Sequence, residues 1–395
     1  MYKTIEDYKL KNKKVIIRCD FNVPIENGEI KDNSRIKKSL KTIRYARKEG
    51  AKVILLSHLG RIKTEEDKAK YTLKPIADEL TRLLRKKVTF VDETRGEKLK
   101  QAIKNMKDRD IILIENTRYE DLNNKAESKN NKELGEYWAK LGDIFINDAF
   151  GTIHRNHASN VGIATNIKSG IGFLVEKEVK ELEKLTKDPK RPYTIILGGS
   201  KVSDKINLIK NLAKKADYIL IGGAMAFTFL KAAGFRVGSS LCEKNEIPFC
   251  FQMLEKYPEK IILPIDIITA KEAKKNAKTK ERFLGEIEED EIGLDVGKKT
   301  IEVFKQYIDE SKIIFWNGPM GLFEIEKFSK GTENLCKIVA QSKAYKIIGG
   351  GDTARAVSEM GYEKQMNHIS TGGGASLAFL EGKKLKALEI IDEKK

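Results

Sequence analysis

The chain has 395 residues, of which 40% are hydrophobic, and its 75 Lys and Arg residues outnumber its 58 Asp and Glu residues to give a formal net charge of +17. Apolar runs recur along the whole sequence, which excludes a disordered chain, and none approaches the roughly 18 residues that cross a membrane. The four cysteines form no CxxC pair and are too few for a disulfide framework, so we expect a soluble cytoplasmic protein with reduced thiols. The length of the chain predicts about two domains.

In the first half, short runs rich in Ile and Val alternate with amphipathic stretches. The predicted order is strand 14–23, helix 34–50, strand 51–58, helix 73–86, strand 87–92, helix 97–107, strand 110–116, helix 129–142 and strand 143–150. This alternation predicts a parallel sheet with helices on both faces.

The alternation pauses at 172–192, which the pattern predicts to be one amphipathic helix closed by two prolines, and then it restarts. Residues 270–291 are predicted to form an exposed charged connection. The further predicted strands are 193–199, 216–223, 260–270, 312–318, 345–351 and 367–371. The fold class predicted is therefore α/β, with two doubly wound parallel-sheet domains joined by a helix.

Cationic side chains cluster around the predicted strand ends of the first half, where open α/β sheets bind ligands. The set comprises Arg35, His58, Arg61, Arg118 and Arg155, with Asp20 and Asn22 after the first strand. Guanidinium groups bind phosphate or carboxylate bidentately, so the set suits a small ligand with several anionic groups. Any single arginine here is equally well explained as exposed surface charge, and Arg18, inside the strand, is expected to support the site.

Glycines follow five predicted strands of the second half, where they let a backbone approach a ligand closely. Lys201 and Lys205 accompany the first of these glycine turns, and Asp352 beside Thr353 suits a Mg²⁺ ion that bridges nucleotide phosphates. The alternative is that the glycines only let helices pack against strands.

Two other functions compete on sequence grounds. The segment from Gly349 to Ala354 fits the dinucleotide pattern GxGxxG/A, but the following strand lacks the acidic residue that would hold an NAD ribose, and no Walker-type loop occurs. The high net charge would suit a nucleic-acid-binding protein, but aromatic residues make up only 8% and do not interleave with the arginines.

Taken together, the motifs resemble those of the phosphoglycerate kinase family. The matching segments lie in the family's order and include RCDFNVP (18–24), SHLGR (57–61), ENTRYE (115–120), NDAFGTIHRNHAS (147–159), LGGSKVSDKI (197–206), WNGPMGLFE (316–324), GGGDTA (349–354) and STGGGASL (370–377). The resemblance implies reversible phosphoryl transfer from 1,3-bisphosphoglycerate to Mg-ADP, giving 3-phosphoglycerate and ATP.

The resemblance also implies a domain plan and a set of partners. Residues 1–171 would form a phosphoglycerate-binding domain to which 379–395 return, 172–192 a connecting hinge helix, and 193–378 a nucleotide-binding domain. The expected partners are these small molecules, with Mg²⁺ as cofactor and no nucleic acid or membrane, and the expected form is a monomer.

Site residues are carried over by their positions in the motifs. Substrate binding is expected at Asp20, Phe21, Asn22, Arg35, His58, Leu59, Gly60, Arg61, Arg118 and Arg155. Nucleotide binding is expected at Gly199, Lys201, Lys205, Gly222, Gly223, Asn317, Pro319, Glu324, Gly350, Gly351, Asp352 and Thr353, with Asp352 as the metal ligand. Catalysis is expected at Arg35, Lys201, Gly372 and Gly373.

Overall fold

The computed structural model describes residues 2–393. The chain divides into two compact units, one comprising residues up to Lys180 together with those from Lys384 onward, and the other Glu181–Lys383. Each contains a six-stranded parallel sheet, which confirms the predicted α/β class.

The first unit is built on a parallel sheet in which the side chains of β1, β4, β6, β7 and β8 are almost all buried, as expected when both faces are covered. Its strands are β1 (Lys14–Cys19), β2 (Ile25–Glu26), β3 (Glu29–Ile30), β4 (Lys52–Leu56), β5 (Val88–Val91), β6 (Ile111–Ile114), β7 (Ile144–Asp148) and β8 (Ser169–Ile171). Its helices are α1 (Ser34–Lys48), α2 (Glu65–Lys70), α3 (Lys74–Leu84), α4 (Glu97–Lys104) and α5 (Lys132–Ala139). The main sheet has the order β5-β6-β4-β1-β7-β8, and β2 and β3 form a small hairpin.

Helix α6 (Phe173–Thr186) carries the chain from the first unit into the second and ends before the two prolines, so the predicted helix over 172–192 was too long. Its start is capped by Asp148, whose Oδ1 accepts the backbone N–H groups of Leu174 at 2.9 Å and Val175 at 3.4 Å. A carboxyl oxygen is favourable at a helix start because the first N–H groups have no partner within the helix.

The second unit repeats the parallel-sheet plan. Its strands are β9 (Tyr193–Leu197), β10 (Tyr218–Ile221), β11 (Ile261–Ile262), β12 (Asp266–Ala270), β13 (Thr279–Phe283), β14 (Ile292–Val296), β15 (Ile313–Asn317), β16 (Tyr345–Gly349) and β17 (His368–Ile369). Its helices are α7 (Ile206–Leu212), α8 (Met225–Ala232), α9 (Ile247–Lys256), α10 (Lys298–Glu310), α11 (Lys330–Gln341), α12 (Gly351–Glu359) and α13 (Gly374–Leu380), and the last helix, α14 (Lys386–Glu389), belongs to the first unit.

Two predictions for the second unit were wrong. The single strand predicted over 260–270 is divided, because only β11 joins the parallel sheet, in the order β11-β10-β9-β15-β16-β17, while β12 leaves it for a three-stranded antiparallel sheet with β13 and β14. The charged connection predicted over 270–291 contains β13, whose side chains are mostly exposed. Its charges conceal the strand because an edge strand need not alternate apolar and polar residues.

Candidate active site

The first candidate site lies at the carboxyl ends of β1, β4, β6 and β7. A cavity of about 750 Å³ opens there, and its wall includes six of the ten predicted substrate residues. These six are Asn22, His58, Gly60, Arg61, Arg118 and Arg155, and we call this space the arginine cavity. Lys63, Asp67, Tyr71 and His157 also contribute to the wall.

The other predicted residues of this set do not line the cavity. Arg35 forms an ion pair with Asp20, its Nη1 lying 2.7 Å from Oδ2, and the guanidinium remains partly exposed. The side chains of Phe21 and Leu59 are buried in the core. Neither of these two side chains is therefore available to a ligand.

The arginines are crowded, and their charges act on one another. Burial lowers the pKa of Arg118, and the neighbouring charge of Arg155 lowers it further. Burial likewise lowers the pKa of Arg155. The negative charge of Asp20 partly offsets this decrease, and the positive charges of Arg61 and Arg35 add to it. Such repulsion is relieved when an anion binds, so the site favours a ligand with more than one negative charge.

The imidazole of His58 is buried in this cationic setting. Burial lowers its pKa well below the usual value, and the charges of Arg18, Arg118 and Arg155 act in the same direction. The ring is therefore neutral near pH 7. Nη2 of Arg18 lies 3.3 Å from Nδ1 of His58, and since a guanidinium can only donate, Nδ1 accepts and the ring proton lies on Nε2. His58 thus offers a neutral N–H donor to a ligand.

A buried network behind the cavity fixes Arg18. Its Nε donates to Oγ of Ser159 at 2.8 Å, and the backbone N–H of Ser159 donates to Oε2 of Glu127 at 2.9 Å. Burial would raise the pKa of Glu127, but a hydrogen bond from His157 and the charge of Arg18 outweigh it, so the pKa is lowered. Sequence reasoning missed Glu127 because it lies in an irregular segment and belongs to no motif.

The second candidate site lies at the carboxyl ends of β9, β15 and β16, beside the small antiparallel sheet. A cavity of about 340 Å³, which we call the glycine-rim cavity, is lined by five of the predicted nucleotide residues: Gly199, Gly223, Pro319, Glu324 and Asp352. The rest of its wall is largely apolar and includes Phe227, Leu241, Ile267, Met320 and Leu322. Close backbone and an apolar wall together suit a flat, partly apolar ligand.

Glycine is required where segments of this rim meet. A Cβ on Gly223 would lie 2.4 Å from the backbone nitrogen of Gly199, and the φ of Gly223 is +62°. A Cβ on Gly222 would lie 2.3 Å from Sδ of Met320. Gly351 differs, because it begins α12 with nothing within 4 Å of such a Cβ. Packing in the described structure therefore does not require a glycine at this position.

Several of the predicted nucleotide residues form hydrogen bonds that hold the loops around the glycine-rim cavity in place. Nδ2 of Asn317 donates to the carbonyl of Gly349 at 2.9 Å, and the backbone N–H of Gly318 donates to Oγ1 of Thr353 at 2.6 Å. Nζ of Lys205 donates to Oδ1 of Asn317. Burial lowers the pKa of Lys205, and the carboxylates of Asp204 and Asp352 partly offset this.

Two further predicted residues of this set, Lys201 and Glu324, differ in their contacts. Lys201 is exposed, and the loop behind it is fixed by Glu243, whose Oε2 accepts the backbone N–H groups of Val202 at 2.6 Å and Ser203 at 3.1 Å. Glu324 forms an ion pair with Arg355 at 2.8 Å. No motif pointed to Glu243 or Arg355.

The last predicted glycines precede α13. The backbone N–H of Gly372 donates to Oγ of Ser370 at 3.2 Å. Gly373 has a φ of +48°, and a Cβ added to it would meet nothing within 4 Å. Gly350 has a φ of +86° and precedes α12. Both segments therefore lead directly into the start of a helix.

Comparisons with known proteins identify the family to which the chain is similar. The phosphoglycerate kinase family profile matches residues 5–383. A phosphoglycerate kinase of Staphylococcus aureus (strain bovine RF122 / ET3-1) is 52% identical over 393 residues, which cover 99% of each chain. The same identity and coverage hold for the enzyme of strain JH9.

Solved structures give the same result. Phosphoglycerate kinase from Coxiella burnetii superposes with a TM-score of 0.91 at 40% identity, covering 99% of this chain and 98% of the other. The enzyme from Pyrococcus horikoshii OT3 superposes with a TM-score of 0.82 at 32% identity over the same shares. The chain therefore belongs to the phosphoglycerate kinase family, whose members are kinases that use ADP and ATP and transfer a phosphoryl group to or from a carboxyl group.

Proposed function

We propose that the two units divide the substrates of the phosphoglycerate kinase reaction. The arginine cavity binds 3-phosphoglycerate or 1,3-bisphosphoglycerate, and the glycine-rim cavity binds ADP or ATP. The observation that carries this assignment is the crowding of Arg61, Arg118 and Arg155 around one cavity with the neutral ring of His58. Phosphoglycerate is small, flexible and multiply anionic, which is the kind of ligand that fixed guanidinium groups recognise.

Around the arginine cavity, Asn22 and Asp20 hold neighbouring protein groups in position. Oδ1 of Asn22 accepts the backbone N–H of Gly60 at 2.9 Å, which holds the loop after β4 against the loop after β1. Asp20 holds Arg35. Arg61, Arg118 and Arg155 would bind phosphate and carboxylate oxygens.

In the glycine-rim cavity, the backbone at Gly199, Gly222 and Gly223 would approach the nucleotide, and the apolar wall would contact its base. Glu324 would accept hydrogen bonds from ribose hydroxyls. Lys205 and the start of α12 at Gly350, Gly351 and Thr353 would bind the phosphates, since a helix start favours anions. Asn317 and Pro319 shape the rim.

Asp352 fits the role of a Mg²⁺ ligand. Its exposed carboxylate lies in the first turn of α12 and lines the glycine-rim cavity, and carboxylate and phosphate oxygens are ligands that Mg²⁺ prefers. Across residues 2–393 there is no group of three or more His, Cys, Asp or Glu that could hold a metal. A Mg²⁺ ion at Asp352 would therefore complete its coordination with nucleotide phosphates and water, and it would supply charge neutralisation there.

The chemistry requires alignment more than acid–base catalysis. In the direction of ATP use, the acceptor is a carboxylate with a pKa of about 4 or below, which is already ionised at pH 7, so no general base is needed. We assign Arg35, Lys201 and the backbone at Gly372 and Gly373 to stabilising the equatorial oxygens of the transferring phosphoryl group as it passes in line between the two substrates.

Because the two ligands would bind to different units, transfer requires the units to close together and exclude water. We place the hinge in the segment 172–192. Small-angle scattering tests this proposal: the radius of gyration should fall when 3-phosphoglycerate and a Mg-nucleotide are both present, and an unchanged value would contradict closure.

We further propose that the protein acts as a cytoplasmic monomer that binds no nucleic acid. Among residues 2–393, no helix is both long and apolar enough to cross a bilayer. The test of the whole proposal is a coupled assay for ATP formation from 1,3-bisphosphoglycerate and ADP, with a filter-binding assay for RNA beside it. Tight, salt-sensitive RNA binding without ADP-dependent turnover would overturn the proposal.

A further inference from the structure

A second cluster of cations lies at the amino ends of β1 and β4, at the end of these strands opposite to the arginine cavity. A cavity of about 390 Å³ opens there, and we call it the lysine cavity. Its wall consists of the lysines Lys14, Lys52, Lys100, Lys104 and Lys140 with the apolar side chains of Ile103 and Leu141. The arginine cavity lies at the carboxyl ends of the same strands, so the two cavities share no residue.

Two of these lysines are placed where like charge is unfavourable. Lys14 and Lys52 are direct partners in the pairing of β1 with β4, and each begins its strand. Neighbouring strands lie only about 4.8 Å apart, and like charges directly opposite each other destabilise a sheet. Among the described residues neither ammonium forms an ion pair, and the nearby carboxylate of Asp143 contacts the backbone instead, its Oδ2 accepting the N–H of Lys14 at 2.7 Å.

The other three lysines add charge to the same space. Lys100 and Lys104 are four residues apart on α4, a spacing at which like charges repel. Lys100 is paired with Glu97 at 2.6 Å. Lys104 ends α4 and Lys140 caps α5, where a positive charge is favourable without a ligand, so these two positions carry no argument by themselves. The argument depends on their convergence with Lys14 and Lys52 on one cavity.

We propose that the lysine cavity binds a small anion that carries several phosphate groups on a short, flexible backbone. Its volume is in the range of small-molecule sites. Lysine ammonium groups are point charges on flexible stems, which suit a chain of phosphates without fixed geometry better than a rigid guanidinium fork does.

A nucleic acid fits this wall less well than a small polyphosphate. Single-stranded nucleic acids are held by aromatic side chains on which the bases stack, and no aromatic residue lines the lysine cavity in the part of the chain that the structure describes. The apolar contribution comes from Ile103 and Leu141 alone.

Isothermal titration of the full-length protein with inorganic tripolyphosphate tests the proposal. The wild type is compared with Lys14→Gln/Lys52→Gln, with Lys100→Gln/Lys104→Gln, and with the control Lys275→Gln/Lys278→Gln. The control removes the same charge from two exposed lysines of the second unit. Tripolyphosphate can also enter the arginine cavity, but all four proteins share that cavity, so differences between them report on the substituted lysines.

We expect each lysine-cavity variant to bind tripolyphosphate about tenfold more weakly or worse, since two charge-assisted contacts are lost, and the control to change by less than about twofold. Circular dichroism checks folding; if the strand variant is unfolded, the helix variant decides, because Lys100 and Lys104 are exposed. Equal weakening in all three variants, or none in the two lysine-cavity variants, would overturn the proposal. So would a single-stranded oligonucleotide that binds more tightly than tripolyphosphate through the same lysines.

Discussion

The arginine cavity and the glycine-rim cavity lie at equivalent edges of two similar sheets, yet they are built from different parts of the chain. In the first unit, polar and charged side chains form most of the wall, and most of the lining residues follow the ends of β1, β4, β6 and β7. In the second, backbone turns and apolar side chains form most of it. Under the proposed division of substrates, one strand plan recognises a small polyanion through fixed charges and a nucleotide through close backbone approach and an apolar wall.

In both units a buried aspartate accepts backbone N–H groups at the start of a helix. Asp148 accepts the first N–H groups of α6, and Asp295 accepts the backbone N–H of Gly331 in α11 at 2.7 Å. Burial raises the pKa of Asp148 to about 7 and that of Asp295 to about 8. The scaffold is therefore similar in the two units while the ligand-facing surfaces differ.

The largest expected effect is on the transfer step. Arg35→Ala removes a charge that we assign to the transferring phosphoryl group, and we expect turnover to fall by about 10²–10³. A coupled steady-state assay measures it. Arg44→Ala is a matched control on the same helix, where the guanidinium contacts the carbonyl of Leu83. Turnover within a few-fold of the wild type for Arg35→Ala would contradict the assignment.

The next effect separates the two cavities. Arg118→Ala should weaken 3-phosphoglycerate binding about tenfold or more and leave ADP binding unchanged, because a charge-assisted contact is lost in one unit only. Lys205→Ala should do the reverse. Isothermal titration of both variants with both ligands gives the four values, and a variant that weakens both ligands equally would argue against the division of substrates.

A smaller effect tests the glycine rim. Gly351→Ala has room for its Cβ and should keep the thermal midpoint, but should raise the KM for the nucleotide by about fivefold because the added methyl group obstructs the phosphates. Gly223→Ala should instead lower the midpoint, since its Cβ would contact the backbone of Gly199. An unchanged nucleotide KM for Gly351→Ala would show that no ligand approaches this helix start.

The smallest effect concerns pH. The folded protein keeps a proton on Asp148 up to about pH 7, whereas the unfolded chain loses it near pH 4, so the free energy of unfolding falls as pH rises between these values. Asp148→Asn cannot titrate. Between pH 5 and 7 the thermal midpoint of Asp148→Asn should therefore fall by about 2–4 °C less than that of the wild type. This corresponds to a difference on the order of 1 kcal/mol in the free energy of unfolding.

The exposed residue Asp108 supplies the control for this measurement. Asp108→Asn should leave the pH dependence of the midpoint unchanged. A pH dependence of Asp148→Asn equal to that of the wild type would show that the carboxyl group is already ionised in the folded protein.

Sequence reasoning predicted the two sheets well because buried parallel strands are continuous apolar runs, which stand out between amphipathic helices. It failed for strands that are short or exposed, and for a strand that leaves the main sheet to join another one. Strand β8 has three residues, and β12 continues the apolar run of β11 although it pairs with β13 and β14. No local pattern records which sheet a strand joins.

The same limit applies to the candidate sites. Six residues at the arginine cavity were predictable because each follows a strand end within a motif, whereas Lys63, Asp67 and Tyr71 belong to no motif. Glu127 and Glu243 were not, because they act through contacts with residues 32 and 40 or more positions away in the chain. The lysine cavity escaped notice for a similar reason: its residues come from separate elements, and each by itself resembles ordinary exposed charge.

The most direct test of the division of substrates is hydrogen–deuterium exchange of the full chain with one ligand at a time. With 3-phosphoglycerate alone, we predict slower exchange in the loops at 20–24, 57–61, 116–119 and 149–157. With Mg-ADP alone, we predict slower exchange at 198–205, 222–225, 317–324 and 350–353. Protection of the glycine segments by 3-phosphoglycerate, or of the arginine segments by Mg-ADP, would contradict the account.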